Sequence, residues 1–134
     1  MVTVFLEGTS TVEGTVTGTF AITAYDGNGG NYEAYGRFYI DANEVWDVKE
    51  GSAVSVPNGE TLPIEIKCNV RVLKDHTFTL YGKAKENDPT GDDLIGNYDN
   101  TEVPIADIDG KEWSRKFPGD GNNYVKITLT LQRK

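Results

Sequence analysis

The chain has 134 residues, with 21 acidic side chains against 13 basic ones and a formal charge of −8. That excess repels nucleic acid and anionic lipid unless it is neutralised locally. Its length suits a single β-sandwich domain, residues 1–134, with one sizeable core, and no run approaches the roughly 20 consecutive apolar residues that cross a bilayer.

Period-two alternation dominates the pattern, because successive strand side chains point to opposite faces of a sheet. The spacing predicts strands over 2–7, 13–25, 32–41, 44–49, 62–73, 77–86, 94–105 and 123–132, with a further short one over 111–117. Met1 to Gly8 has neither the basic nor the long apolar region of a signal peptide. The compartment is open, a secreted or surface location being favoured for a module excised from a longer chain. In the second strand Val16, Gly18, Phe20, Ile22 and Ala24 share one face and the threonines share the other. Ala34, Gly36, Phe38 and Ile40 repeat the pattern, as do Ile64, Ile66, Cys68, Val70 and Val72, then Phe78, Leu80 and Ala84, and last Val125, Ile127, Leu129 and Leu131. Antiparallel sheets with one wet face bury the other against a second sheet. The expected fold is all-β, an antiparallel β-sandwich of about eight strands.

Cys68 and His76 are each the only residue of their type, which excludes an internal disulfide and a thiolate metal site. Cys68 falls on the apolar face of its strand and reads as a buried structural thiol. His76, beside Asp75, falls in a turn.

Two acidic loops carry the chemistry. Asp26 and Glu33 flank the Gly/Asn-rich stretch after the second predicted strand, and Glu86, Asp88, Asp92 and Asp93 crowd the loop after the sixth. Four strands separate the loops, and antiparallel strands reverse direction at each turn, so both emerge at one end of the sandwich. Six carboxylates and the carbonyls of a flexible backbone suit calcium, a hard cation that takes six to eight oxygen ligands. No histidine or thiolate lies in either loop to recruit zinc or copper. Neither loop fits the twelve-residue helix-flanked calcium loop. The alternative is acid-rich turns that serve only solubility.

Glu86-Asn87-Asp88, followed by Asp93-Leu94-Ile95-Gly96, resembles the third calcium loop of C2 domains. Asp26 followed by Glu33-Ala34-Tyr35-Gly36 resembles their first loop. The resemblance implies a C2-like calcium-binding sandwich. Glu33 and Glu86 stand where that family has aspartate, and the third loop is one residue shorter between Asp88 and Asp93. The loop tips offer no apolar plug, so membrane docking is not favoured. Sandwiches with short acidic loops also resemble accessory modules of larger bacterial secreted proteins.

Paired carboxylates serve glycoside hydrolysis too, but these acids lie on hairpin loops among small polar neighbours, and no catalytic relay beyond His76 is possible. The expected function is a non-catalytic module in which calcium orders one loop tip for binding a protein or glycan partner. Two alternatives stand beside it. One is a carbohydrate-binding module using Tyr35, Tyr39, Tyr81 and Trp46, and the other is a structural accessory sandwich without metal.

Overall fold

The computed structural model describes residues 10–134, and the strand predicted over 2–7 lies outside them. Eleven strands follow in order: β1 Thr11–Thr23, β2 Tyr32–Ile40, β3 Asn43–Val48, β4 Val54–Val56, β5 Thr61–Leu73, β6 Thr77–Tyr81, β7 Lys83–Glu86, β8 Asp93–Asn97, β9 Thr101–Pro104, β10 Trp113–Pro118 and β11 Tyr124–Arg133. Single 3-10 turns at Glu50–Ser52 and Ile105–Asp107 interrupt them.

The strands form two antiparallel sheets. One has the order β10-β11-β1-β5, and the other contains the remaining seven strands. The second is in effect four rows around β2. Strands β3 and β4 pair with one of its edges and β6 and β7 with the other, while β8 lies outside β7 and β9 outside β6.

Within residues 10–134 the structure contains seven of the eight expected strands and the short one over 111–117; two of these are split and β4 is additional, which gives eleven. The segment predicted as one strand over 77–86 breaks at Gly82, where φ is +119°. The segment predicted over 94–105 breaks at Tyr98-Asp99-Asn100, with Asn100 at φ +59°. The Gly82 amide is satisfied by Asp99 Oδ1 at 3.0 Å, so the two breaks brace each other. A Cβ on Gly82 would lie 2.0 Å from the Arg37 carbonyl oxygen. Gly82→Ala is therefore expected to cost more than about 1 kcal/mol, since alanine suffers both the positive φ and the clash. A lowered urea midpoint would show it.

The alternating apolar positions meet between the sheets. Val16, Phe20 and Ile22 of β1 and Val125, Ile127 and Leu129 of β11 are fully buried, as are Phe38 and Ile40 of β2 and Phe78 and Leu80 of β6. An aromatic cluster clamps the layers together. Phe20 stacks on Phe38 at 4.7 Å between ring centroids, and Tyr98 stands edge-on to both at 5.3 and 5.2 Å. Cys68 is buried, and desolvation pushes its thiol pKa up, as suits a structural role. His76 lies in the turn between β5 and β6 with Nε2 2.7 Å from Asp41 Oδ2.

Candidate metal centre

Four loops meet at one end of the sandwich: 24–31 after β1, 57–60 after β4, 87–92 after β7 and 119–123 after β10. The two acidic loops share this end because β3 with β4, and β6 with β7, each act as one row, which preserves the strand parity. Side-chain amides stitch the loops together. Asn58 Oδ1 accepts from the Asp26 amide at 2.7 Å, and Asn123 Oδ1 from the Tyr25 amide at 2.9 Å. Asp120 Oδ2 accepts from the Leu94 amide at 2.8 Å, fixing the start of β8 beside Asp93.

Pairing of β7 with β8 sets Glu86 directly across from Asp93. Like charges opposed in this way destabilise a sheet. Glu86, Asp88 and Asp93 each present a carboxylate oxygen, all within 4.8 Å of one another. Two ligands on opposite sides of a calcium ion, each about 2.4 Å from it, stand about 5 Å apart. The triad therefore has the span of one coordination sphere.

Glu86 is the group that sets this cluster apart from ordinary acidic turns. It is 3% exposed, because its strand position matches that of Ala34, its cross-strand partner on the core-facing side of β2. Among the described residues no hydrogen bond reaches its carboxylate. Burial, and after it the charges of Asp26, Asp93, Asp88 and Asp92, push its pKa up to about 7. The carboxylate is not sealed in the core but opens on an acidic cleft, and a carboxylate partly desolvated and crowded by other acids is disfavoured in its charged form unless a cation compensates it.

The other predicted ligands divide. Asp26 walls that cleft, of about 310 Å³, with Asn28, Asn31, Asn87 and two members of the triad, Glu86 and Asp88. It is held by its own turn, in which Oδ1 accepts from the Asn28 amide at 3.0 Å. Asp88 is fixed in the same manner: its Oδ1 accepts from the Thr90 amide at 2.9 Å and hydroxyl at 2.8 Å, which holds its pKa below the usual carboxylate range. Glu33 also lines the cleft but lies outside the triad. Strand alternation turns it away from the face of Tyr32 and Ala34, and its carbonyl instead takes the Asn87 amide at 2.8 Å.

Asp92 belongs to the outer surface of the seven-stranded sheet. Its Oδ2 accepts from the Tyr35 hydroxyl and its Oδ1 from the Asp88 amide at 3.1 Å. These bonds lower its pKa, and its proximity raises that of Glu50.

The aromatic platform divides as well. Tyr35, Tyr39 and Tyr81 do line one surface groove. Trp46 corrects the expectation of a fourth ring there. It is 8% exposed and packs 5.5 Å from Phe20, because β3 pairs it with Phe38 on the core face. Asn58 and Asp120 fall in stretches legible only as turns, and Asn123 at the start of the strand predicted over 123–132, since what each braces is distant in sequence.

No protein-family model and no curated protein matches the sequence. Among solved structures, one chain of the crystal structure of the Cry23Aa1 and Cry37Aa1 binary protein complex superposes with a TM-score of 0.52. Identity is 21% over 88% of this chain and 98% of that chain. The likeness shows a shared β-sandwich fold.

Proposed function

We propose that this chain is a non-catalytic, C2-like module that binds calcium at the loop end. Glu86, Asp88 and Asp93 would form the centre of the site, and Asp26 its second wall. Glu86 carries the reading. Acid-rich turns at a surface need no ion, but a glutamate that is 3% exposed, opens on an acidic cleft, receives no hydrogen bond from the described residues and is opposed across the strand by Asp93 gains most from a hard cation. Bound calcium would order the 87–92 loop for contact with a partner. Because the structurally similar chain comes from a binary protein complex, a protein partner is the favoured kind. Membrane docking is disfavoured by the small polar tips Gly27 to Asn31 and Pro89 to Gly91 and by the net acidity.

Calcium titration followed by calorimetry and thermal melting tests the site. Binding only the native state stabilises it by about 2.7 kcal/mol at a hundredfold excess over Kd, and the doubly substituted Asp88→Asn, Asp93→Asn protein should lose both the heat and the shift. Absence of heat and shift in the unsubstituted protein would overturn the reading.

A further inference from the structure

A second surface feature lies on the outer face of the seven-stranded sheet and meets the loop end through the Tyr35–Asp92 bond. Strand β2 presents Tyr35 and Tyr39 on its outer face, four residues apart and so about 13 Å along the strand. Tyr81 of β6 is the direct cross-strand partner of Tyr39. The three rings line an open groove of about 790 Å³, within the range of roughly 300–1,000 Å³ typical of ligand sites. Two of them are held by carboxylates: the Tyr39 hydroxyl lies 2.9 Å from Asp47 Oδ2 and 3.1 Å from Glu44 Oε1, and the Tyr35 hydroxyl bonds Asp92. Tyr35 and Tyr39 are thus oriented before any ligand arrives, which lowers the ordering cost of binding.

Charge selects the occupant. The groove carries as many basic side chains as acidic ones, with Arg37, Lys83 and Lys85 interleaved among acids such as Asp47 and Asp99. A polyanion would meet those acids and the overall charge of −8. A lipid tail would find charged rims instead of an apolar slot. A neutral chain that offers flat C–H faces to aromatic rings and hydroxyls to charged donors and acceptors satisfies both components of the lining.

We infer that the outer groove of the seven-stranded sheet binds a neutral, linear oligosaccharide, with Tyr39 and Tyr81 at one end and Tyr35 at the other. Titration calorimetry with cellohexaose, laminarihexaose and xylohexaose, with a heparin oligosaccharide as the anionic control, tests this. At least one neutral hexasaccharide should bind. Tyr39→Ala and Tyr81→Ala, with unchanged near-ultraviolet circular dichroism, should each weaken it about tenfold or more. Tyr124→Ala, a tyrosine on the other sheet, should leave affinity unchanged. Repeating the titration in EDTA should leave binding in place, which separates failure of this inference from failure of the calcium site. The inference is overturned if no neutral oligosaccharide binds at millimolar concentration, if only the heparin fragment binds, or if the folded Tyr39→Ala and Tyr81→Ala proteins bind as tightly as the parent.

Discussion

Replacing Glu86 by glutamine is expected to raise the melting temperature of the calcium-free protein at pH 8 and to abolish its response to calcium. The sign follows from a pKa raised in the folded state, from the ordinary 4.5 to about 7. Below about pH 4.5 the carboxyl is protonated in both states and its contribution to stability is intact. Between pH 4.5 and 7 the unfolded chain releases the proton while the folded protein keeps it, so stability falls as pH rises. One pKa unit corresponds to about 1.4 kcal/mol, so the loss is on the order of 3 kcal/mol, or roughly 10 °C in Tm for a chain of this size. A neutral glutamine has no such loss. Calcium binds the ionised form, so its affinity should weaken about tenfold per pH unit below pH 7. Thermal melts at pH 5 and pH 8, with calcium and with EDTA, provide the check. A Glu86→Gln protein that is less stable than its parent at pH 8 in EDTA, or that still responds to calcium, would contradict the role given to this residue.

Phe20→Ala is expected to produce the largest loss of stability, about 3–5 kcal/mol, with or without calcium. Phe20 is fully buried and belongs to β1 of the four-stranded sheet, while its ring partners Phe38 and Trp46 belong to the opposite sheet. Truncation would remove the stacked contact and leave a cavity between layers that cannot collapse without shifting whole strands. Urea denaturation should show a lower midpoint with a nearly unchanged slope, since the surface exposed on unfolding hardly changes. A loss under about 1 kcal/mol would show that the cluster does not clamp the sheets.

The acidic loops show how far local pattern reaches. That Asp26 and the 86–93 segment share an end was legible, because antiparallel parity depends only on counting rows. Broken rows left that parity intact, although two predicted strands split and β4 formed beside β2 where none was expected. Which acids converge was not legible. Glu33 and Asp92 look as good on paper as Asp26 and Asp93, yet strand alternation takes the first out of the triad and a hydrogen bond from Tyr35 draws the second to the outer sheet. Trp46 shows the same limit from the other side. Its neighbours lack a clear alternating run, and only pairing with Phe38 puts its ring in the core.

Residues near in sequence thus settled the fold class, the faces of the strands, the absence of disulfides and the sign of the surface field. Each depends on side-chain order along a strand or on composition. Assembly of the two sheets alone decided that Glu86 is drawn largely out of water onto an acidic cleft, that Asn58, Asp120 and Asn123 brace the loop end, and that three tyrosines line one groove. Those features arise from cross-strand register and from contacts between loops, and register couples positions tens of residues apart that no local pattern relates.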